Sequence, residues 1–287
     1  MKNTKKILVT LLTVVATFLL VACGGSESAD GQDALARIKE EGVLNIGTSP
    51  DYPPMEFYVL DDNGDRQIVG SDIDLAQSIA DEIGVTLEIT ATDFNGVLAN
   101  VQTGSIDFGI SGFTWTQERD QVMQSSIGYL QESELGFQGI MMQEAFAEQF
   151  SSLEEIEEAG LVLGAQGGSI QYELAQNLTD DSNIKQYSTL DVGLAALNEG
   201  DIDAMIVSTS SAEPMLVTFP NLTILPQESF DLDPERMYST NVIAFPLGEE
   251  YESLIEVVNE VIQENIDNGN IEKWQAENVE LSHKAVE

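Results

Sequence analysis

Two α/β lobes in one chain are the fold class this sequence predicts, and three observations point to them. From Leu44 onward, short apolar strands alternate with amphipathic helices, the pattern of mostly parallel sheets covered by helices. One unit recurs at long range: VQTGSIDFGI at 101–110 parallels LNEGDIDAMI at 197–206, each a helix end, a glycine stop, an Ile-Asp pair and an apolar strand. Gly104 and Gly200 stand 96 residues apart, far beyond a solenoid period. The 287 residues, less a leader, leave about 265, enough for two domains of ordinary size.

The leader comes first. Lys2, Lys5 and Lys6 precede an apolar run, Ile7 to Ala22, broken only by Thr10, Thr13 and Thr17. A membrane-spanning helix needs about 20 apolar residues; this shorter run reads as a secretory signal over 1–22. Leu20-Val21-Ala22-Cys23-Gly24 resembles the lipobox of bacterial lipoproteins, which implies cleavage after Ala22 and lipid on Cys23. Cys23 is the only cysteine, so no disulfide supports the exported fold. Gly24 to Gln32, rich in Gly, Ser and Asp, reads as a tether.

Elements follow in order. Leu44 to Gly47 reads as a strand, and Asp62-Asn63-Gly64-Asp65 as a turn between strands, since it lacks calcium-loop spacing. Ser71 is the expected cap of a helix with Leu75, Ala76, Ile79, Ala80 and Ile83 on one face, stopped by Gly84. Val85 to Ile89 alternates as a strand; a short helix around Val97 and Val101 ends at Gly104, and Ile106 to Ile110 is a strand. The second lobe is expected to hold strands at 135–142 and 161–163, and helices after Ser152, after Ser169 and around 194–197. Asn241 to Phe245 reads as a strand returning to the first lobe. A long helix over 251–268 and a short one containing Ile271 and Trp274 close the chain. The expected boundaries are 23–35 for lipidated Cys23 and tether, 36–134 plus 242–287 for the first lobe, and 135–241 for the second. Crossings near 135–142 and 238–245 predict a two-strand hinge.

Composition removes whole function classes. Loss of 1–22 takes three of 11 cations and none of the 50 acids, leaving a formal charge of −42. Nucleic acid and anionic lipid headgroups are poor partners for such a surface. The single histidine, His283, lies near the end of a polar tail, so Ser-His-Asp and Cys-His catalysis are not expected. Zinc ligands are missing too, and no phosphate-binding P-loop occurs. No metal or cofactor is expected.

Several stretches resemble one family. They are IGTSPDYPPMEF at 46–57, VGSDIDLA at 69–76, GSID at 104–107, SGFTWTQER at 111–119 and GNIEKW at 269–274. In this order and spacing they resemble the polar-amino-acid solute-binding proteins of ABC importers. The resemblance implies a periplasmic-binding-protein-like fold, two α/β lobes joined by a two-strand hinge with the ligand cleft between them. It further implies a monomer capturing an amino acid or related carboxylate for a transporter permease, held at the extracellular membrane face by lipid on Cys23.

The resemblance also implies a site. Arg119 matches the position that clamps the ligand's α-carboxylate, work for which a rigid guanidinium fork is suited. Thr114 and Ser169 match further carboxylate contacts, Ser169 from the second lobe. Ser111 matches a position whose carbonyl accepts from the α-ammonium. Tyr52, Phe94 and Trp115 fall at or beside positions flanking the ligand side chain, and Asp72 at one that contacts it. Glu56 reads as structural. Ser208 stands where the family usually has an acid for the α-ammonium, and Ser49 where binders of basic amino acids carry one. Either Glu213 or Asp72 substitutes, or the ligand lacks an ordinary α-ammonium. Two further readings stay open on the same fold: a secreted cyclohexadienyl-type dehydratase, which needs a general acid or base, and a ligand-sensing lipoprotein.

Overall fold

The computed structural model describes residues 32 to 286; the signal, Cys23 and most of the tether lie outside the described residues. Two five-stranded sheets organise the chain. In the first, Val43–Thr48 lies between Thr86–Ala91 and Phe108–Gly109, both parallel to it, and Ala244–Phe245 and Gln124–Ser125 extend the sheet antiparallel. In the second, Leu163–Gln166 lies between Ile184–Tyr187 and Ala204–Ser208, again parallel. Gln138–Gln143 and Leu222–Ile224 extend it antiparallel. The pattern of strand directions is the same in both, but the fourth strand across comes last in the chain in the first sheet and first in the second.

The repeat seen in the sequence underlies the shared pattern. Gly104 and Gly200 end the helices Phe94–Thr103 and Leu190–Glu199 at φ 65° and 81°, a conformation open to glycine without a Cβ penalty. The aspartate that follows closes each unit. Asp107 receives the amide of Asn45 on Oδ2 (2.7 Å) and returns its own amide to the Asn45 carbonyl (2.8 Å). Asp203 does the same with Val162, at 2.8 Å both ways. Ile106 and Ile202, each 3 % exposed, pack beside the central strands, where a Cβ on Gly47 or on Gly164 would meet the isoleucine Cδ1 at 2.5 Å.

Apolar side chains cover both faces of each sheet. Leu44, Ile46, Phe108 and Phe245 pack under the helices Ser71–Ile83 and Glu252–Asp267, while Val97, Val101 and Phe113 fill the other face. Trp274 joins the first of these clusters. In the second lobe Ile140, Leu163 and Ile206 face one cluster, and Met141, Met205 and Val207 the other. Leu130–Gln131 pairs antiparallel with Thr240–Asn241 outside either large sheet, and this is the two-strand connection. It lies upstream of the first crossing expected at 135–142. The strand expected over 241–245 is split around Val242 and Ile243.

Two expectations about local structure are corrected. Ser71 is not a cap but the first helical residue, and its hydroxyl receives Gln275 Nε2 at 2.5 Å. Gly70 is the cap, at φ 137°, because the strand Glu56–Leu60 passes so close that a Cβ would fall 1.9 Å from the Met55 carbonyl oxygen. The strand expected over 106–110 is regular only at Phe108–Gly109.

Gly70 thus sets the spacing between Glu56 and Asp72. Where the backbone tolerates it, Gly→Ala stabilises a protein by about 0.4–1 kcal/mol. Gly70→Ala should instead destabilise this one by more than ~1 kcal/mol, because both the dihedral and the backbone contact forbid a side chain. Urea unfolding of the two proteins measures it; equal or higher stability of the alanine variant would contradict the tight crossing.

Candidate functional site

A cleft of about 350 Å³ lies where the two lobes meet. Ser49, Asp51, Tyr52, Glu56, Phe94, Ser111, Thr114 and Arg119 line it from the first lobe, and Gln166, Ser169 and Gln171 from the second. Of the residues expected at the site, six are brought together here by first-lobe elements and Ser169 is brought to them from the second.

Arg119 begins a short turn of helix after the strand end, partly buried. Its Nη1 donates to the Thr114 carbonyl (2.8 Å) and its Nη2 to the Gly168 carbonyl (3.1 Å), so one guanidinium bridges both lobes. Its carbon lies 5.5 Å from the Phe94 ring centre and 5.8 Å from that of Phe113, and these two rings stack at 5.0 Å. Among the described residues no carboxylate makes an ion pair with it. Desolvation draws its pKa down to about 10, with Glu173 opposing. Ser169 caps the helix Ile170–Gln176, its hydroxyl accepting from the Tyr172 amide (3.3 Å) and donating to the Gln166 carbonyl (2.8 Å).

Asp51, missed in the sequence, ties the lobes together most directly. Its Oδ2 accepts from Gln166 Nε2 (2.9 Å) and from the Leu190 amide (2.7 Å), both in the second lobe. Leu190 opens a helix whose Thr189 cap makes no side-chain bond, so the first lobe supplies the missing acceptor. The Ser49 hydroxyl donates to Asp51 Oδ1 at 2.5 Å. The acid absent at position 49 therefore stands two residues on. A wider groove of about 1100 Å³ shares Ser49 and Asp51 with the cleft and includes His283.

Ser208 likewise donates to a carboxylate. Glu132, 3 % exposed and just beyond the connecting strand, accepts from the hydroxyls of Ser208, Tyr52 (2.8 Å) and Ser210 (3.3 Å). Ser208 and Glu132 line a smaller neighbouring cavity rather than the cleft itself, and Tyr52 reaches from one to the other. Glu213 is exposed and takes no part. Asp72 is fully buried behind the lining, bound to the Gly112 amide (3.0 Å) and the Tyr129 hydroxyl (2.8 Å). Trp115 is 44 % exposed and outside the lining; its amide donates to the Thr240 carbonyl. Glu56, read as structural, lines the cleft and accepts from the Ser111 hydroxyl (3.1 Å).

Burial pushes Asp51 up to about 6, and the same cause raises Glu56, Asp72 and Glu132. A carboxyl raised in the folded state favours its protonated form there. Its contribution to stability is complete below the unfolded value, near 3.8, and is lost as pH rises through about 6. Melting temperature should therefore climb as pH falls from about 7 to about 4, and Asp51→Asn should flatten part of that climb. A profile that declines over this window would overturn the assignment.

Comparison with known proteins now has a geometry to rest on. The arginine-binding extracellular protein ArtP of Bacillus subtilis is 28 % identical over 94 % of this chain and 96 % of its own. The cyclohexadienyl dehydratase of Pseudomonas aeruginosa is 25 % identical over 77 % of this chain and 79 % of its own. Among solved structures, an amino acid ABC transporter substrate-binding protein from Streptococcus pneumoniae bound to L-arginine superposes with a TM-score of 0.76. It is 30 % identical and covers 87 % of this chain and 98 % of its own. The sequence model of the bacterial extracellular solute-binding proteins, family 3, matches residues 44–279, and this chain belongs to that family.

Proposed function

We propose that this protein captures an amino acid with a cationic side chain, of the arginine type, and passes it to the permease of an ABC importer. The observation that carries this is the charge pattern of the cleft. A partly buried guanidinium without an anionic partner faces a space that also contains Asp51 and Glu56. An α-carboxylate on Arg119 and cationic groups toward the acids complete that pattern, since buried charge is tolerated only when paired. Thr114, Ser111 and Ser169 stand within the same lining and supply polar contacts; Phe94 and Tyr52 supply apolar ones. The relatives that bind arginine support the reading.

Capture would draw on differential affinity for the closed form, because Arg119 and Ser169 belong to different lobes. Removing one partner of a buried charge pair typically costs about 2–5 kcal/mol. Arg119→Ala should thus weaken L-arginine binding by roughly thirtyfold to several thousandfold. Calorimetry measures this, and unchanged affinity would sink the carboxylate clamp.

A second reading has one observation in its favour: Glu56 is a cleft-lining carboxyl that burial raises well above the usual carboxylate range, the direction a dehydratase acid needs. Incubation with prephenate or arogenate is expected to give no turnover.

Anchoring is part of the proposal and rests on Leu20-Val21-Ala22-Cys23. Mass spectrometry of the membrane-bound protein should find Cys23 as a lipidated N-terminus, and Cys23→Ala should abolish retention. An unmodified Cys23 in the membrane fraction would rule this out.

A further inference from the structure

Three buried acids, Glu56, Asp72 and Glu132, and the half-buried Asp51 lie in or behind the cleft lining, and two of them come together. Glu56 and Asp72 are each 0 % exposed, and their segments meet where the Asp72 amide donates to the Met55 carbonyl (3.0 Å), close enough that each carboxyl shifts the pKa of the other. The strand crossing at Gly70 forces this approach, because the Met55–Glu56 backbone lies against the start of the helix that contains Asp72.

The remaining bonds of the pair are unequal. Asp72 Oδ2 takes two donors, the Gly112 amide and the Tyr129 hydroxyl, an environment made for an anion. Glu56 Oε1 takes one, the Ser111 hydroxyl, which itself accepts from the Ser49 amide and so has its proton free to give. Glu56 Oε2 and Asp72 Oδ1 are left with no protein donor at all. Two buried carboxylate oxygens left without a donor are unfavourable twice over. A single proton shared between the two carboxyls would relieve both. Desolvation and the neighbouring Asp72 both raise Glu56, in keeping with a proton held there.

We infer that Glu56 and Asp72 hold a single proton between them in the ligand-free cleft, and that Glu56 gives it up to solvent when a cationic ligand binds. Glu56 lines the cleft and Asp72 does not, so the ligand meets the member of the pair that carries the proton. The other ionisable groups around Glu56 are Asp51 in the lining, Tyr129 and Glu132 behind it, and Arg119 in the same cleft. Asp51 already has three donors and Glu132 three hydroxyls, so neither requires a proton to be satisfied. A ligand cation lowers the cost of a charge on Glu56, and the O–H bond of its carboxyl breaks with the proton passing to buffer. Capture is then a one-for-one exchange of charge. The cleft takes up a cationic group and loses a proton, so its net charge stays nearly constant.

The release step rests on the amino-acid-capture reading, and the shared proton does not. Two measurements on the full mature protein separate them. Infrared difference spectra of ligand-free wild type against Glu56→Gln at about pH 7 should show the carbonyl band of a protonated carboxylic acid in the wild type alone. Its absence overturns the shared proton whatever the ligand is. Calorimetry with L-arginine in buffers of different ionisation enthalpy should give about one proton released per ligand at pH 7, falling to near zero in Glu56→Gln. Asp72→Asn removes the charge that adds to burial in raising Glu56, so the pH range over which the proton is released should shift downward. Tight binding with no buffer dependence in the wild type overturns the exchange. Failure of L-arginine to bind counts against the ligand assignment, and the infrared band still decides the proton.

Discussion

Withdrawing charge from water is the constraint around which this cleft is organised. A guanidinium and a carboxylate, Arg119 and Asp51, come from the first lobe and find acceptors and donors in the second. Among the described residues neither group forms an ion pair; each is met by neutral polar atoms. Such partners satisfy hydrogen-bonding capacity without neutralising the ion, which leaves a cleft that is closed yet electrostatically incomplete. In the proposed function the solute would supply the missing charges. The same principle covers Glu132, where three hydroxyls stand in for a cation.

Much of the architecture was legible because it rests on local rules. A glycine followed three residues later by aspartate marks the stop and the lock of a helix–strand unit, and both copies, Gly104 with Asp107 and Gly200 with Asp203, behave that way. Ser152 and Ser169 cap helices as their positions suggest. Ser71 misled because serine before an apolar helical face looks like a cap wherever the chain actually enters. The entry point was decided by a passing strand, a contact no local window contains.

The candidate site was legible mainly in its first-lobe half, with Ser169 alone from the second. Arg119, Thr114 and Ser111 lie on one stretch of the resemblance, and the fold gathers them with Phe94. Trp115 sits in the same stretch, yet its amide bonds to Thr240 of the connecting strands and its ring remains at the surface. Asp51 escaped notice because its partners are 115 and 139 residues away and meet it only when the lobes are together. Serines at 49 and 208 looked like lost acids. They are hydroxyl donors to carboxylates displaced by a few residues in one case and by 76 in the other.

The route of the chain through the first sheet has a consequence for how the protein comes into being. Ala244–Phe245 is an interior strand of that sheet, and Phe245 packs on Phe108 at 5.5 Å. The helix over 252–267 that covers the same core lies later still. The second sheet, by contrast, draws all its strands from 138–224. A chain emerging from its N-terminus therefore finishes the second lobe while the first, though begun earlier, is still an open apolar surface. The half made first thus has no means of completing its core before the last fifth of the chain has been synthesised.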